Sequence, residues 1–141
     1  MDLMPADIRA RLLANGATEE ETDHIPVVKF FDPTGPATWI ITEMMADGDT
    51  LFGLCDLGFD EPELGTVSLA GLQSVKGALG LGIERDLWFR PRFTLAAFAD
   101  AAARLDRITE DERELAAAAR RLGLPDDPEL PPDFAAVIPR S

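Results

Sequence analysis

The chain has one cysteine and one histidine in 141 residues, and these two scarcities remove much of the usual chemistry. Cys55 alone cannot form an intrachain disulfide or a cysteine-rich zinc site, and it fits a reducing compartment. As a nucleophile it would need His24 and a lowered pKa. Its place in the alternating run LFGLCDL (51–57) assigns it to packing instead. A lone His24 in the polar connector ATEEETDH (17–24) excludes a histidine-based metal site, and no G-x-S-x-G turn accompanies a Ser–His pair. Lysine is scarce too. Lys29 and Lys76 stand against eleven arginines, and neither sits in the Glu-x-Lys arrangement that a magnesium nuclease would use. No apolar run approaches the roughly 20 residues of a membrane span. The segment MDLMPADIRARLL (1–13) lacks a basic stretch followed by an apolar one, so no secretory leader is expected. These absences imply a soluble, cytoplasmic protein with no membrane partner.

What the chain has in excess is acid. The formal net charge is −13. Residues 1–70 hold 14 acids and 3 bases, whereas residues 71–141 hold 12 and 10, so the first half carries nearly all of the imbalance. Residues 17–64 alone contain twelve acids and one base, Lys29. A field of one sign on a rigid surface selects partners: it repels nucleic acid and attracts basic protein surfaces or cations. The length suits one domain burying about two-thirds of its unfolded surface.

The acidic stretch also holds most of the β-like sequence. PVVKFF (26–31), TWIIT (38–42) and LFGLCDL (51–57) are separated by DPTGP (32–36) and ADGD (46–49), which are turn chemistry between β-branched and aromatic runs. Such short connections predict an antiparallel meander. A fourth strand is expected at 65–68, a short helix over 69–76 capped by Ser68, and a fifth strand over 83–89. Helices are expected over 3–15, closed by Gly16; over 95–105, capped by Thr94; and over 110–122, opened by a capping box at Thr109 and stopped by Gly123. The fold class is therefore α+β: one domain over 1–123, with a mainly antiparallel four- to five-stranded sheet packed against N- and C-terminal helices. Five prolines in 124–141 predict an irregular tail, separable from the domain.

Asp56 is the carboxylate of most chemical interest. It shares strand parity with Phe52 and Leu54, where partial desolvation could equip it for acid–base work. The plainer reading is that it ends the strand and binds turn amides near Gly58. Asp47, Asp49, Asp60, Glu61 and Glu63 suggest a hard-cation site. Yet Asp47-Gly48-Asp49 lacks the alternating ligands and distal glutamate of a calcium loop, so these acids are expected to be solvated turn carboxylates forming a partner-binding face. No metal or cofactor is expected, because the glycines of 77–82 form neither a dinucleotide nor a P-loop fingerprint. Arg85, Arg90 and Arg92 surround Trp88 and Phe89, a grouping that can stack bases or serve a protein interface. Against the overall charge it does not imply general nucleic-acid binding. Lys29 is expected to sit on Trp39 as a cation–π pair.

Read in order, PVVKFF, TWIITE, FGLCDLG, PELG, VSL and LGLGIERDLWF resemble an uncharacterised bacterial family, domain of unknown function 2958 (DUF2958). FGLCDLG (52–58) followed by PELG (62–65) is the most specific part, and the likeness covers about residues 3–105. The resemblance implies carriage on plasmids, phages or integrated elements and an accessory role there. It implies no catalytic residue. The expectation is a non-enzymatic acidic protein that binds a basic protein surface, in its sharper form a nucleic-acid mimic acting on a DNA-processing or defence protein. The alternative is a divalent-metal enzyme acting on nucleic acid, with Asp56 and neighbouring acids as ligands.

Overall fold

The computed structural model describes residues 1–77 and 79–125. The turn chemistry produces the expected succession: α1 (Ala6–Gly16), β1 (Val28–Phe31), β2 (Thr38–Met44), β3 (Thr50–Asp56), β4 (Glu63–Ser68), α2 (Leu69–Ser74), β5 (Glu84–Arg85), α3 (Leu95–Leu105) and α4 (Glu112–Leu122). The strands form one antiparallel sheet in the order β4-β3-β2-β1-β5. The fold is α+β, as expected.

The helices do not share one face of the sheet. In β2 the consecutive residues Trp39, Ile40 and Ile41 are all buried, and alternation sends them to opposite sides, so both sides need cover. Val28, Phe30, Trp39 and Ile41 pack with Leu12 of α1 and with Leu69 and Leu72 of α2. Ile40 and Leu54 pack with Phe98 and Ala101 of α3 and with Leu115 and Ala118 of α4. A β-bulge in β2 lies between Ile41 and Glu43, and it lets Ile41 and Met44, three positions apart, serve the same core. Phe52 is only half-buried, because β3 lies beside the half-exposed edge strand β4.

Several local expectations are corrected. Lys29 and Trp39 lie on opposite faces, since Phe30 is the residue opposite Trp39; the Lys29 ammonium instead meets Glu110 at 2.6 Å and Asp86 at 3.5 Å. The fifth strand shrinks to two residues because Asp86 turns the chain, its Oδ1 accepting from the Trp88 N–H at 2.8 Å. Gly16 does not adopt the left-handed conformation. It ends α1 against the Met44 carbonyl, where any Cβ would collide. The cap of α4 is Asp111, which accepts from the Arg113 and Glu114 N–H groups, and Thr109 only supports it. Gly123 does close α4 in left-handed geometry, and the Leu124 N–H then reaches the Ala119 carbonyl in a Schellman arrangement. Leu124 thus packs against the second core and belongs to the domain, while the remaining tail, from residue 126 on, lies outside the described residues.

The connector before β1 is anchored at its end. Asp23 and His24 are buried; Asp23 Oδ1 accepts from the Ala96 N–H at 3.0 Å and the His24 carbonyl accepts from the Leu95 N–H. Asp23 therefore caps α3 from across the chain, and the Thr94 side chain does not. Asp23→Ala is expected to cost about 1 kcal/mol, the usual worth of a cap. Thr94→Val should be near neutral, because its buried hydroxyl has no hydrogen-bond partner to lose. Denaturant midpoints of the two variants check this order.

Candidate functional site

In a meander of antiparallel strands, successive turns fall at opposite ends of the sheet. This divides the five acids expected to form one face. Asp47 and Asp49 lie in the β2–β3 turn, whereas Asp60 and Glu61 lie in the turn after β3 and Glu63 opens β4, roughly 20 Å away along a seven-residue strand.

The first pair bonds within the fold. Asp47 Oδ1 accepts from the Asp49 and Thr50 N–H groups and Oδ2 from the Thr50 hydroxyl at 2.6 Å. Asp49 accepts from the Ser68 hydroxyl at 2.7 Å and the Ala70 N–H at 2.8 Å, tying this turn to the start of α2. The Thr50 hydroxyl, followed by the two amides, lowers the Asp47 pKa below its ordinary value of 3.8. A carboxyl with a lowered folded-state pKa adds stability above its unfolded pKa and loses it as pH falls through the folded one. Asp47→Asn should therefore be less stable than the wild type at neutral pH, with the gap closing as pH falls below about 3.8. Thermal midpoints measured across that range check it.

At the opposite end, Asp56 is buried with both oxygens engaged. Oδ1 accepts from the Gly58 N–H at 2.9 Å and Oδ2 from the Ile108 N–H at 3.1 Å, pinning the α3–α4 loop to the end of β3. It is a clamp between elements that holds two backbone donors. Its neighbour Cys55 is half-buried against the first core, and burial pushes its thiol pKa up, away from nucleophilic use.

Beyond Asp56 the chain turns outward. Gly58, in the left-handed region, lies against the Pro36 ring of the β1–β2 turn, and Asp60 also has positive φ. Leu57, Phe59 and Leu64 are exposed, Phe59 at 77%, and Asp60, Glu61 and Glu63 are exposed among them. Asp56 is buried on its two backbone donors, whereas these acids face solvent. Among the described residues no three His, Cys, Asp or Glu side chains are grouped to hold a metal ion. Leu57 ends the strand-like run LFGLCDL (51–57), which hides the apolar part of this tip in the sequence; its signal is an aromatic, Phe59, inside a turn of Gly, Asp and Pro.

The basic-aromatic grouping is split as well. Phe89 is buried, its ring 6.3 Å from that of Phe98, whereas Trp88 is 88% exposed.

Residues 3–109 match the family model described as Protein of unknown function (DUF2958). The chain belongs to that family. The DUF2958 match spans α1, the whole sheet and α3, together with both engaged donors of Asp56 and the tip at 57–64. It ends before α4, which covers part of the second core. No curated protein and no solved structure matches the chain. No helix among the described residues is long and apolar enough to cross a membrane.

Proposed function

We propose that this DUF2958 protein is a non-enzymatic cytoplasmic accessory of a mobile genetic element and works by binding a basic protein surface through the tip at 57–64. The observation that carries the reading is Phe59, exposed at 77% on a turn that also presents three solvent-facing carboxylates. An exposed aromatic ringed by charge is the composition of an interface anchor: the ring fills a pocket, and the carboxylates steer the encounter. Carboxylates displayed on an exposed turn are also what a nucleic-acid mimic needs to occupy a DNA-binding surface. Asp47 and Asp49 leave this face, since their oxygens are used within the fold. The metal-enzyme alternative gains no support, because Asp56 spends both oxygens on backbone amides.

The test is affinity capture from the native host, followed by reconstitution with the purified partner. Charge reversal at Asp60, Glu61 and Glu63 should slow association and remove its salt dependence. Phe59→Ala should speed dissociation. Both variants should melt within about 1 °C of the wild type, since exposed turn side chains contribute little to stability. A partner bound equally well by both variants would exclude the tip. Purified protein that cleaves DNA with magnesium or manganese would replace this reading with the enzymatic one.

A further inference from the structure

A second surface has the opposite chemistry. A cavity of about 680 Å³ opens between α1 and the segment joining β5 to α3, and Arg11, Arg85, Arg90 and Arg92 all line it. In a chain of net charge −13, four of the eleven arginines meet at one concavity, brought there from α1 and from residues 85–92. Sequence order hides this, because Arg11 is more than seventy positions from the other three.

Two carboxylates share the lining with the four arginines, so the lining residues carry a formal excess of positive charge. Asp7 and Asp86 also line the cavity, but Asp86 is occupied, Oδ1 by the Trp88 N–H and Oδ2 by the Lys29 ammonium. Among the described residues no carboxylate comes within 4.0 Å of the guanidinium nitrogens of Arg11, Arg85 or Arg90. Two of these arginines are held by neutral acceptors instead. Arg85 Nε donates to the Asp2 carbonyl at 3.3 Å, and Arg90 donates to the Leu87 and Phe89 carbonyls at 3.3 and 3.0 Å. Such bonds restrain the guanidinium groups without neutralising them. Like charges gathered in this way repel one another, and a bound anion relieves the repulsion.

The rest of the lining is apolar. Ile25, Pro26 and Phe89 form walls, and the exposed Trp88 stands in an adjoining cavity of about 320 Å³ that shares Arg85, Asp86 and Leu87 with the first. The volume falls in the range of about 300–1,000 Å³ typical of small-molecule sites. We propose that this cavity binds a small phosphorylated ligand of nucleotide size, Arg11, Arg85 and Arg90 taking the phosphate oxygens and the apolar walls, with the indole of the adjoining cavity, taking a flat ring. Guanidinium groups suit that task because their planar donors match phosphate oxygens in pairs. Asp7 supplies an acceptor for a ligand hydroxyl or amine. A polymer is disfavoured, since extended nucleic acid would meet the acidic remainder of the surface.

This site is separate from the acidic tip, so the two proposals fail independently. The test titrates the full chain with ADP, inorganic pyrophosphate, adenosine and a 20-nucleotide single strand, read by calorimetry. ADP should bind saturably, and adenosine should bind at least about tenfold more weakly, the loss expected when a charged hydrogen-bonding group is removed. Arg11→Glu, an exposed change on α1, should weaken ADP about tenfold or more. Arg113→Glu, on the far-exposed surface of α4, should change it less than about twofold. Unchanged thermal midpoints would confirm that both variants are folded. The proposal is overturned if neither ADP nor pyrophosphate saturates at millimolar concentration, if Arg11→Glu binds as the wild type does, if Arg113→Glu loses as much, or if the oligonucleotide binds more tightly than ADP.

Discussion

Phe30→Ala is expected to lower the unfolding free energy by about 3–5 kcal/mol, a loss large enough to consume much of the stability of a small domain. Phe30 is fully buried in β1, with β2 on one side and β5 on the other. Its ring belongs to the core shared with Leu12 and Ile41, in a layer closed above by α1 and α2. Strands hydrogen-bonded on both sides cannot shift to refill the space, so the cavity term adds to the lost transfer energy. Phe52→Ala removes the same side chain from a half-buried site and should cost about 1–2 kcal/mol, in proportion to the smaller area covered. Urea midpoints at unchanged slope would measure both. Equal losses would mean that the second face is as closed as the first.

The strands were legible because their signals are local: apolar alternation interrupted by Asp, Gly and Pro specifies hairpins of short reach. The division of helices between the two faces was written in Trp39-Ile40-Ile41, a continuous apolar run, but reading it required knowing that β2 is the central strand. Caps went astray for a related reason. Thr94 and Thr109 have the right side chains in nearly the right places, yet Asp23 and Asp111 supply the hydrogen bonds. Asp23 is 73 residues from the amide it serves, a relation that no local window contains.

The candidate site was legible as a composition and illegible as a place. Net charge identified an acidic first half, but charge counting cannot separate carboxylates spent on turn amides, such as Asp47, from those left to solvent, such as Glu61. Hydrogen-bond geometry makes that separation, and it is the ground for proposing the apolar-acidic tip. The arginine cavity illustrates the converse. Three of its arginines stand close to Trp88 in the sequence, and α1 adds the fourth only once it packs on the sheet.

Asp56→Ala should destabilise the protein by about 2–3 kcal/mol, because two backbone N–H groups lose their acceptor at once and a buried unpaired donor costs about 1–3 kcal/mol. The Ile108 amide bears most of the loss. The Gly58 amide lies on an exposed turn where water can replace the carboxylate. Asp56→Asn is the more discriminating change. An asparagine can keep one acceptor oxygen but must turn its NH₂ group toward the second N–H, so about half of the loss should remain, roughly 1–2 kcal/mol. Amide exchange at Ile108 should accelerate in both variants, since the loop between α3 and α4 is released from β3. A carboxylate serving catalysis alone would behave in the opposite manner: Asp56→Asn would leave stability and Ile108 exchange unchanged while abolishing a metal-dependent activity. Measuring the midpoint and the Ile108 exchange rate of that single variant therefore decides between the clamp and the catalyst.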